Sequence, residues 1–339
     1  MLSVKPVEVA PSQAAETHPS QTTEPPSRPP HPNFAPFHII PGLSNFRDIG
    51  GWPLCTPSHA PTKRVRKGIL FRGSDTNRIT PEGEGKLRKL GIKTDFDLRS
   101  KQQIEKTGGY REISGIERRW TPVFAEEQYT EEAARKRYEL YAGEGTDGIV
   151  TAFVEILIAG APMFRTVLRH VLASARGGAP SAAVFMHCTT GNNRTGVFIS
   201  LLLLLLGVSP DVVAHEYTLS DKGLAPTRHI NVERLLKKGA FEEYGPEEAR
   251  RKCERMVGAR RESMEALIAE VERRWNGPDG YFRDEVGLTG EEVGRLREVF
   301  TEEEADGDGL PNEAVDRLGE APKASREAAL KEDKAKASP

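Results

Sequence analysis

The stretch Ala182-Ala-Val-Phe-Met-His-Cys-Thr-Thr-Gly-Asn-Asn-Arg-Thr-Gly196 decides the fold. It begins with five apolar residues that predict a buried strand, and an apolar run from Val197 to Val208 follows it and predicts a buried helix. Another helical pattern of apolar residues starts upstream at Pro162. The order helix, strand, loop, helix indicates crossover connections. We therefore predict an α/β domain with a central, mainly parallel sheet flanked by helices.

Further elements are predicted on both sides of this stretch. Gly68–Arg72 and Ile92–Leu98 have the composition of short buried strands. Between them, Thr80-Pro81 is an N-cap and first-turn pair that opens a helix ending near Leu90. Close to the end of the domain, Thr289-Gly-Glu-Glu292 predicts a capping box in front of the last helix.

Composition divides the chain into a domain and two tails. Nine of the 24 prolines fall in residues 1–36, which we predict to be a disordered tail because such a stretch buries little apolar surface. Within it, Pro26-Ser-Arg-Pro29 is a weak candidate ligand for an SH3-type partner. Residues 301–339 contain no aromatic residue and predict a disordered charged tail. Residues 37–300 remain as one catalytic domain.

Charge and cysteine content exclude several classes of function. The chain has 48 basic and 50 acidic side chains, which gives no electrostatic basis for binding nucleic acid or an anionic membrane. The run from Val197 to Val208 is shorter than the roughly 20 residues that cross a bilayer, so no membrane span is predicted. The N-terminus has no readable secretory signal, and three separated cysteines form no disulfide framework. Both observations predict a cytoplasmic protein.

The loop after the predicted strand carries the chemistry. Five residues between Cys188 and Arg194 allow the loop to curl with its backbone N–H groups inward, which forms an anion site at a helix N-terminus. Gly191 permits the turn, and Arg194 can hold two phosphoryl oxygens. The predicted phosphate-binding residues are Thr189, Thr190, Gly191, Asn192, Asn193 and Arg194.

The same environment activates Cys188. The inward N–H groups and the helix dipole favour its thiolate, so its pKa should lie below about 8.5. In-line attack on phosphorus then forms a phosphocysteine, which water hydrolyses, and no metal or cofactor is needed. Cys55 and Cys253 have no arginine six residues later and are interpreted as bystanders.

Two neighbours of the loop have supporting roles with open alternatives. His187 either holds the loop in shape through a backbone hydrogen bond or is an ordinary histidine at a strand end. Thr195 either donates its hydroxyl to the cysteine sulfur when the intermediate breaks down or makes a local helix hydrogen bond.

The sequence resembles the cysteine-based protein tyrosine phosphatases, and most of all the tyrosine/serine protein phosphatase family of bacteria and fungi. The resemblance rests on the loop and on motifs around it, namely Asn45-Phe-Arg-Asp-Ile-Gly-Gly51, Leu70-Phe-Arg72, Phe96-Asp-Leu-Arg-Ser100, Gly207-Val-Ser209 and Glu216-Tyr217. It implies a phosphatase-type phosphate-binding loop, with Cys188 as nucleophile and Arg194 as phosphate ligand. It also implies a protein tyrosine phosphatase, with dual specificity left open, acting on phosphorylated proteins or peptides.

The loop departs from this family at two positions. The family pattern is Cys-x-x-Gly-Lys-Asp-Arg, and here Asn192 and Asn193 replace the lysine and the aspartate. Loss of the lysine disfavours an inositol phosphate or phosphoinositide substrate, which remains an alternative. Loss of the aspartate removes a candidate proton donor, so a phosphate-binding pseudophosphatase with little turnover is a second alternative. An enzyme without this acid should prefer phosphotyrosine to phosphoserine, because a phenolate leaves more readily.

Another carboxyl group must supply any general acid. Asp97 is the first choice, because it ends a predicted strand at the edge where open α/β sheets form their active sites. The alternative is an ion pair that holds Arg99 or Arg194. Weaker candidates are Asp147, Asp48 and Asp75.

A basic helical region over Lys222–Trp275 either packs on the domain edge or covers the pocket and recruits acidic phosphopeptides.

Overall fold

The computed structural model describes residues 36–55, 63–125, 130–175 and 180–303. The predicted N-terminal tail with its SH3-type motif therefore lies outside the described residues, except for Pro36. Most of the predicted C-terminal tail does so as well.

A five-stranded sheet forms the centre of the domain. Its strands are β1 (Arg47–Asp48), β3 (Leu70–Gly73), β4 (Ile92–Asp97), β5 (Glu117–Trp120) and β6 (Ala183–His187), while β2 (Lys63–Val65) belongs to a second, smaller sheet. The order across the central sheet is β1-β3-β6-β4-β5, in which β1 is antiparallel and the other neighbours are parallel. The predicted mainly parallel α/β fold is confirmed. Strand β6 lies in the middle, so the residues that follow it emerge at the centre of one sheet edge.

Eleven α-helices are present in the described residues. They are α1 (Pro81–Lys89), α2 (Lys101–Lys106), α3 (Glu131–Ala142), α4 (Asp147–Ser174), α5 (Asn193–Leu206), α6 (Pro210–Leu224), α7 (Arg228–Lys237), α8 (Pro246–Val257), α9 (Arg261–Trp275), α10 (Pro278–Asp284) and α11 (Gly290–Phe300). The predicted caps are confirmed, since Thr80 accepts from the backbone of Gly83 and Thr289 forms both halves of a capping box with Glu292.

Two predicted boundaries are wrong. Helix α4 begins at Asp147 and contains Pro162, whereas the sequence pattern placed its start at Pro162. Residues such as Phe153 and Leu157 extend the same buried face upstream of the proline. The folded unit also continues past residue 300, because β7 (Thr301–Glu303) pairs antiparallel with β2 (Lys63–Val65) in a second sheet.

Helices α4 and α5 supply much of the core. Gly160 of α4 allows this close packing, because a Cβ there would lie 2.3 Å from the ring of Phe198 on α5. By length and composition α4 could also cross a membrane, although no such span was predicted. Fourteen of its residues are buried within the domain, and a core helix passes the same test. We therefore assign α4 to the core.

Candidate active site

The loop from Cys188 to Asn192 joins the central strand β6 to helix α5. Its entry point is flanked by the ends of two neighbouring strands, because Gly73 of β3 and Asp97 of β4 both pair with His187. Gly191 adopts φ +68°, and a Cβ there would lie 2.1 Å from the carbonyl oxygen of Gly73. Only glycine fits this turn, for conformational and steric reasons together.

Framework residues bind the carbonyl oxygens of the loop. Arg72 Nη2 donates to the carbonyl of Gly191 at 2.6 Å, and Asn45 Nδ2 donates to that of Thr190 at 3.1 Å. The backbone N–H of Asp75 donates to the carbonyl of Thr189 at 3.2 Å. The backbone N–H groups of Gly191 and Thr195 hydrogen-bond to the Cys188 sulfur and therefore face the inner side of the loop, as the N–H groups of an anion nest do.

A buried ion-pair network stands behind Arg72. Glu216 on α6 accepts from Arg72 Nη1 and from Arg47 Nε, each at 2.7 Å, and the side chains of all three residues are fully buried. Arg47 also donates to the hydroxyl of Ser220. The Glu216 carboxylate therefore positions Arg72, and Arg72 in turn binds the carbonyl of Gly191 in the loop. Sequence reasoning assigned no role to these residues, although they lie in the motifs that carried the family resemblance.

Cys188 lies at the inner end of the loop and is 4% exposed. Burial alone would raise the pKa of its thiol. The charge of Arg194, the hydroxyl of Thr195 and the backbone N–H groups of Thr195 and Gly191 outweigh burial and lower the pKa. The Thr195 hydroxyl is buried and has no other hydrogen-bond partner among the described residues. This position corresponds to the first role considered for Thr195, in which its hydroxyl donates to the cysteine sulfur.

His187 connects the loop to strand β4. Its Nδ1 lies 3.0 Å from the carbonyl oxygen of Cys188, and its Nε2 lies 3.1 Å from Asp95 Oδ1. Burial lowers the pKa of this imidazole, but the charges of Asp95 and Asp97 have the larger effect in the opposite direction and raise the pKa to about 9. In a charged imidazole Nδ1 donates to the Cys188 carbonyl, whereas the contact between Nε2 and Asp95 is an ion pair without hydrogen-bond geometry. The contact with the loop backbone corresponds to the loop-holding interpretation.

The surroundings of Asp97 disfavour the role of general acid. Its carboxylate is 0% exposed and accepts from Arg99 Nε and Nη2 at 2.8 and 2.7 Å, and from Arg118 Nη2 at 2.7 Å. Burial raises its pKa, but His187, Arg99 and Arg118 together hold that pKa well below the usual range. A carboxylate so firmly ionised is a poor proton donor. Sequence reasoning located the strand end and named an ion pair with Arg99 as the alternative role of Asp97, and the structure contains that pair. It did not foresee Arg118.

The other nominated carboxyl groups lie in different surroundings. Asp48 accepts from the backbone of Gly50 and Gly68, and Asp147 starts helix α4, so neither lines the loop. Asp75 contacts the loop through its own N–H. Burial raises the pKa of its carboxyl above the usual value, against the opposing charge of Arg99, whose Nη1 lies 3.7 Å away.

The two asparagines that depart from the family pattern connect the loop to the helices behind it. Asn192 is 1% exposed and its Nδ2 donates to the carbonyl of Gly258, between α8 and α9, at 3.1 Å. Asn193 Oδ1 accepts from the hydroxyl of Tyr217 on α6 at 3.3 Å. The substitutions replace charged groups with contacts that position the loop.

A cavity of about 630 Å³ opens above the loop. Its floor includes Cys188 and Arg194, and its walls come from α2, α3, α7 and the end of α8. Part of the basic region over Lys222–Trp275 therefore borders the pocket. The apolar part of the wall consists of Ala134, Tyr138, Tyr141, Leu235, Ala240, Phe241, Met256 and Val257.

The cavity is also lined by charged residues, only some of which lie in the basic region over Lys222–Trp275. Besides Arg194, its cations are Lys106, Arg135, Lys136, Arg234 and Lys238, and its carboxylates are Glu132, Glu139 and Glu243. The rim is therefore predominantly cationic even though the loop lacks the family lysine. Arg234 and Lys238 belong to the basic region over Lys222–Trp275 that the sequence marked, whereas no local sequence signal marked Lys106, Arg135 and Lys136, because they lie on helices remote from the loop in the chain.

Comparisons with known proteins agree with this geometry. Residues 38–302 match the model of the tyrosine phosphatase family. The triple specificity protein phosphatase PtpB of Mycobacterium tuberculosis is 27% identical over 283 residues, which are 77% of this chain and 98% of that protein. A tyrosine-protein phosphatase of Nostoc commune is 26% identical over 246 residues, 72% of this chain and 76% of that protein.

Among solved structures, TpbA of P. aeruginosa in complex with pTyr matches 64% of this chain and 96% of its own at 14% identity and a TM-score of 0.24. That score is too low to support the fold assignment. The family match covers most of the chain and includes the loop, the motifs around it and the first two residues of strand β7. The chain belongs to the tyrosine phosphatase family.

Proposed function

We propose that this chain hydrolyses phosphomonoesters through a phosphocysteine intermediate, and that its substrate is phosphotyrosine in proteins or peptides. The observation that carries the proposal is the Cys188 thiol, whose pKa is lowered at the floor of a loop that ends in Arg194. Family membership supports the same activity.

In the first step the Cys188 thiolate attacks phosphorus in line with the leaving oxygen. The S–P bond forms as the P–O bond to the tyrosine breaks. The Arg194 guanidinium and the inward N–H groups of the loop stabilise the charge on the three equatorial oxygens. Because Arg72 and Asn45 hold the backbone of the loop at Gly191 and Thr190 before substrate arrives, the loop needs little reorganisation.

In the second step water attacks the phosphocysteine and releases inorganic phosphate. The electron pair of the S–P bond returns to sulfur. The Thr195 hydroxyl, which is buried beside Cys188, donates a hydrogen bond to the departing thiolate. The proton of the attacking water passes to the phosphate, so the enzyme returns to its starting state.

Asp97 acts in this scheme as a positioning residue for Arg99 rather than as the acid. A phenolate leaves with less proton transfer than an alkoxide, which favours tyrosine over serine substrates. Asp75 is the nominated carboxyl group best suited to assist, because it adjoins the loop and burial raises its pKa. The aromatic and aliphatic wall of the cavity supports the same preference, since it can pack against a phenyl ring.

A cytoplasmic location remains part of the proposal. All three cysteines are free, as expected in a reducing compartment.

The test is hydrolysis of a small aryl phosphate in the presence of EDTA. Cys188→Ser and Arg194→Ala should lower kcat by at least about 10²-fold, because each removes a group that acts on phosphorus. Cys55→Ser is the matched control, since Cys55 is exposed and remote in sequence from the loop. Full activity of Cys188→Ser would overturn the mechanism. An inactive wild type that still binds phosphate would favour the pseudophosphatase.

A further inference from the structure

Tyr244 is an exposed tyrosine in the connection between α7 and α8. It ends a single turn of 3-10 helix, Glu242–Tyr244, and is 46% exposed. Its side-chain contacts are made by the ring, which lies near Phe241 and Lys252. The hydroxyl has no hydrogen-bond partner among the residues that the structure describes. It is therefore accessible to an enzyme that modifies it.

Lys252 on α8 connects this tyrosine to the wall of the cavity. Its Nζ lies 4.2 Å from the centroid of the Tyr244 ring and 2.8 Å from Glu139 Oε2 on α3. Burial lowers the pKa of Lys252, but its pairing with Glu139 contributes most to the opposite shift, and the pKa is raised. Glu139 lines the cavity that opens above Cys188. One cation thus contacts both an exposed tyrosine ring and a carboxylate of the cavity wall.

The chain around Tyr244 is acidic. Four glutamates lie within four residues of it, namely Glu242, Glu243, Glu247 and Glu248. A phosphoryl group on Tyr244 would add nearly two negative charges to this segment. The cation that already contacts the ring is Lys252, and its flexible four-carbon stem allows the ammonium to move from the ring face to the phosphoryl oxygens.

We propose that Tyr244 is a phosphorylation site, and that its phosphoryl group lowers the affinity for substrate by drawing Lys252 away from Glu139. The inference rests on the proposed function of the loop. In the modification the Tyr244 oxygen attacks the γ-phosphorus of a nucleoside triphosphate held by a tyrosine kinase. The new O–P bond forms as the bond to the bridging oxygen breaks, the nucleoside diphosphate leaves, and the hydroxyl proton is released.

The predicted effect on the cavity follows from the charge of Glu139. While Lys252 pairs with it, this carboxylate is neutralised at 2.8 Å. Once Lys252 moves to the phosphoryl group, the cavity wall carries an unpaired negative charge, which repels the phosphate of an incoming substrate. Because Glu139 belongs to the wall and not to the loop, the effect should appear in KM and not in kcat.

The acceptor is tested on the full-length Cys188→Ser protein, which lacks the nucleophile that would remove the label. It is incubated with ATP and a tyrosine kinase that phosphorylates a glutamate–tyrosine copolymer, and the label is mapped by mass spectrometry. Tyr244 should be labelled more than Tyr110, which is 49% exposed but has one ring face covered by Arg118 at 3.7 Å. Absence of label at Tyr244 would overturn the assignment.

The consequence is tested with Tyr244→para-phosphonomethyl-phenylalanine, in which a C–P bond that the loop cannot hydrolyse replaces the ester. KM for a phosphotyrosyl peptide should rise roughly three- to tenfold, and the rise should shrink as salt increases from about 0.05 to 0.5 M. Tyr244→Phe is the matched control, because it keeps the ring beside Lys252 without the phosphoryl acceptor, and it should keep the wild-type KM.

A second substitution tests the route through Glu139. In a Glu139→Gln background the phosphonate should no longer raise KM, because no carboxylate is left to be released. An equal rise with and without Glu139, or no rise in either, would overturn the inference.

A binding measurement separates this inference from its foundation. The Kd of the same phosphotyrosyl peptide for Cys188→Ser, with and without the phosphonate, reports the effect without turnover and should rise by the same factor as KM. A wild type that hydrolyses no phosphomonoester overturns the proposed function. An active enzyme whose KM and Kd ignore the phosphonate overturns the role of Tyr244 alone.

Discussion

Replacing Glu216 by glutamine tests whether the buried network positions the loop. The side chain is fully buried and pairs with Arg47 and Arg72 at 2.7 Å each. Glutamine keeps nearly the same volume but removes the charge, so two buried guanidinium groups lose their counter-ion. Breaking a buried pair in this way typically costs about 3–5 kcal/mol, which is a large part of the roughly 5–15 kcal/mol that stabilises a domain.

The same substitution should reduce catalysis. Arg72 donates to the carbonyl of Gly191 at 2.6 Å, and without Glu216 it is free to leave that position. A displacement of about 1 Å in the loop can lower kcat by about 10²-fold, because the N–H groups no longer point at the phosphoryl oxygens. We expect kcat for a small aryl phosphate to fall by about 10- to 100-fold under conditions in which the variant is folded.

The free energy of unfolding is measured by urea denaturation with tryptophan fluorescence as the signal, and kcat is measured separately without denaturant. Glu233→Gln is the control, because Glu233 pairs with Arg250 at the same 2.7 Å but both side chains are nearly half exposed. Solvent screens that pair, so the control should behave like the wild type. A Glu216→Gln protein with a loss of stability below about 1 kcal/mol and unchanged kcat would refute the reasoning.

Three other predictions follow from the loop and its supports. Gly191→Ala should abolish turnover of an aryl phosphate, because the methyl group overlaps the carbonyl of Gly73, whereas Gly245→Ala, at a similar positive φ in open space, should retain it. The raised pKa of His187, about 9, stabilises the fold fully below about pH 6.5, and the stabilisation, worth about 3 kcal/mol, is lost as pH rises through 9. Urea titrations at several pH values should show this loss in the wild type and not in His187→Gln. Asp97→Asn should lower stability and kcat but keep the alkaline limb of the kcat–pH profile, and disappearance of that limb would identify Asp97 as the acid after all.

The local elements of the fold could be predicted because their signals lie within a few residues. Thr80 and Thr289 satisfy backbone groups three residues away, so the starts of two helices were readable. The start of α4 could not be read in this way. A proline usually lies in the first turn of a helix, so the pattern predicts a start at Pro162, although the apolar face of α4 continues through it. Strand β7 was missed because it pairs with β2, more than two hundred residues earlier.

The carboxyl groups show where local reasoning ends. Asp97 ends strand β4 and Asp75 follows strand β3. An ion pair between Asp97 and Arg99 was the alternative read from the sequence, but Arg99 also lies 3.7 Å from Asp75, so this neighbour alone does not separate the two carboxyl groups. In the folded chain Asp97 receives two guanidinium groups, which lower its pKa, while burial raises the pKa of Asp75. The difference arises from Arg118 and from the depth of each group, and both are set by packing.

The reaction chemistry proposed for this protein could be predicted from the sequence, because a strand, a turn at Gly191 and a helix are local elements that together predict Cys188 and Arg194 around one anion. The groups that support and surround the loop became visible only in the folded chain. Arg72 binds the carbonyl of Gly191, which is 119 residues away in the chain, and Glu216 on α6 pairs with Arg72. Arg234 on α7 lines the cavity. The physical reason is that hydrogen bonds of turns and caps join near neighbours in the chain, whereas burial and charge pairing depend on residues that only folding brings together.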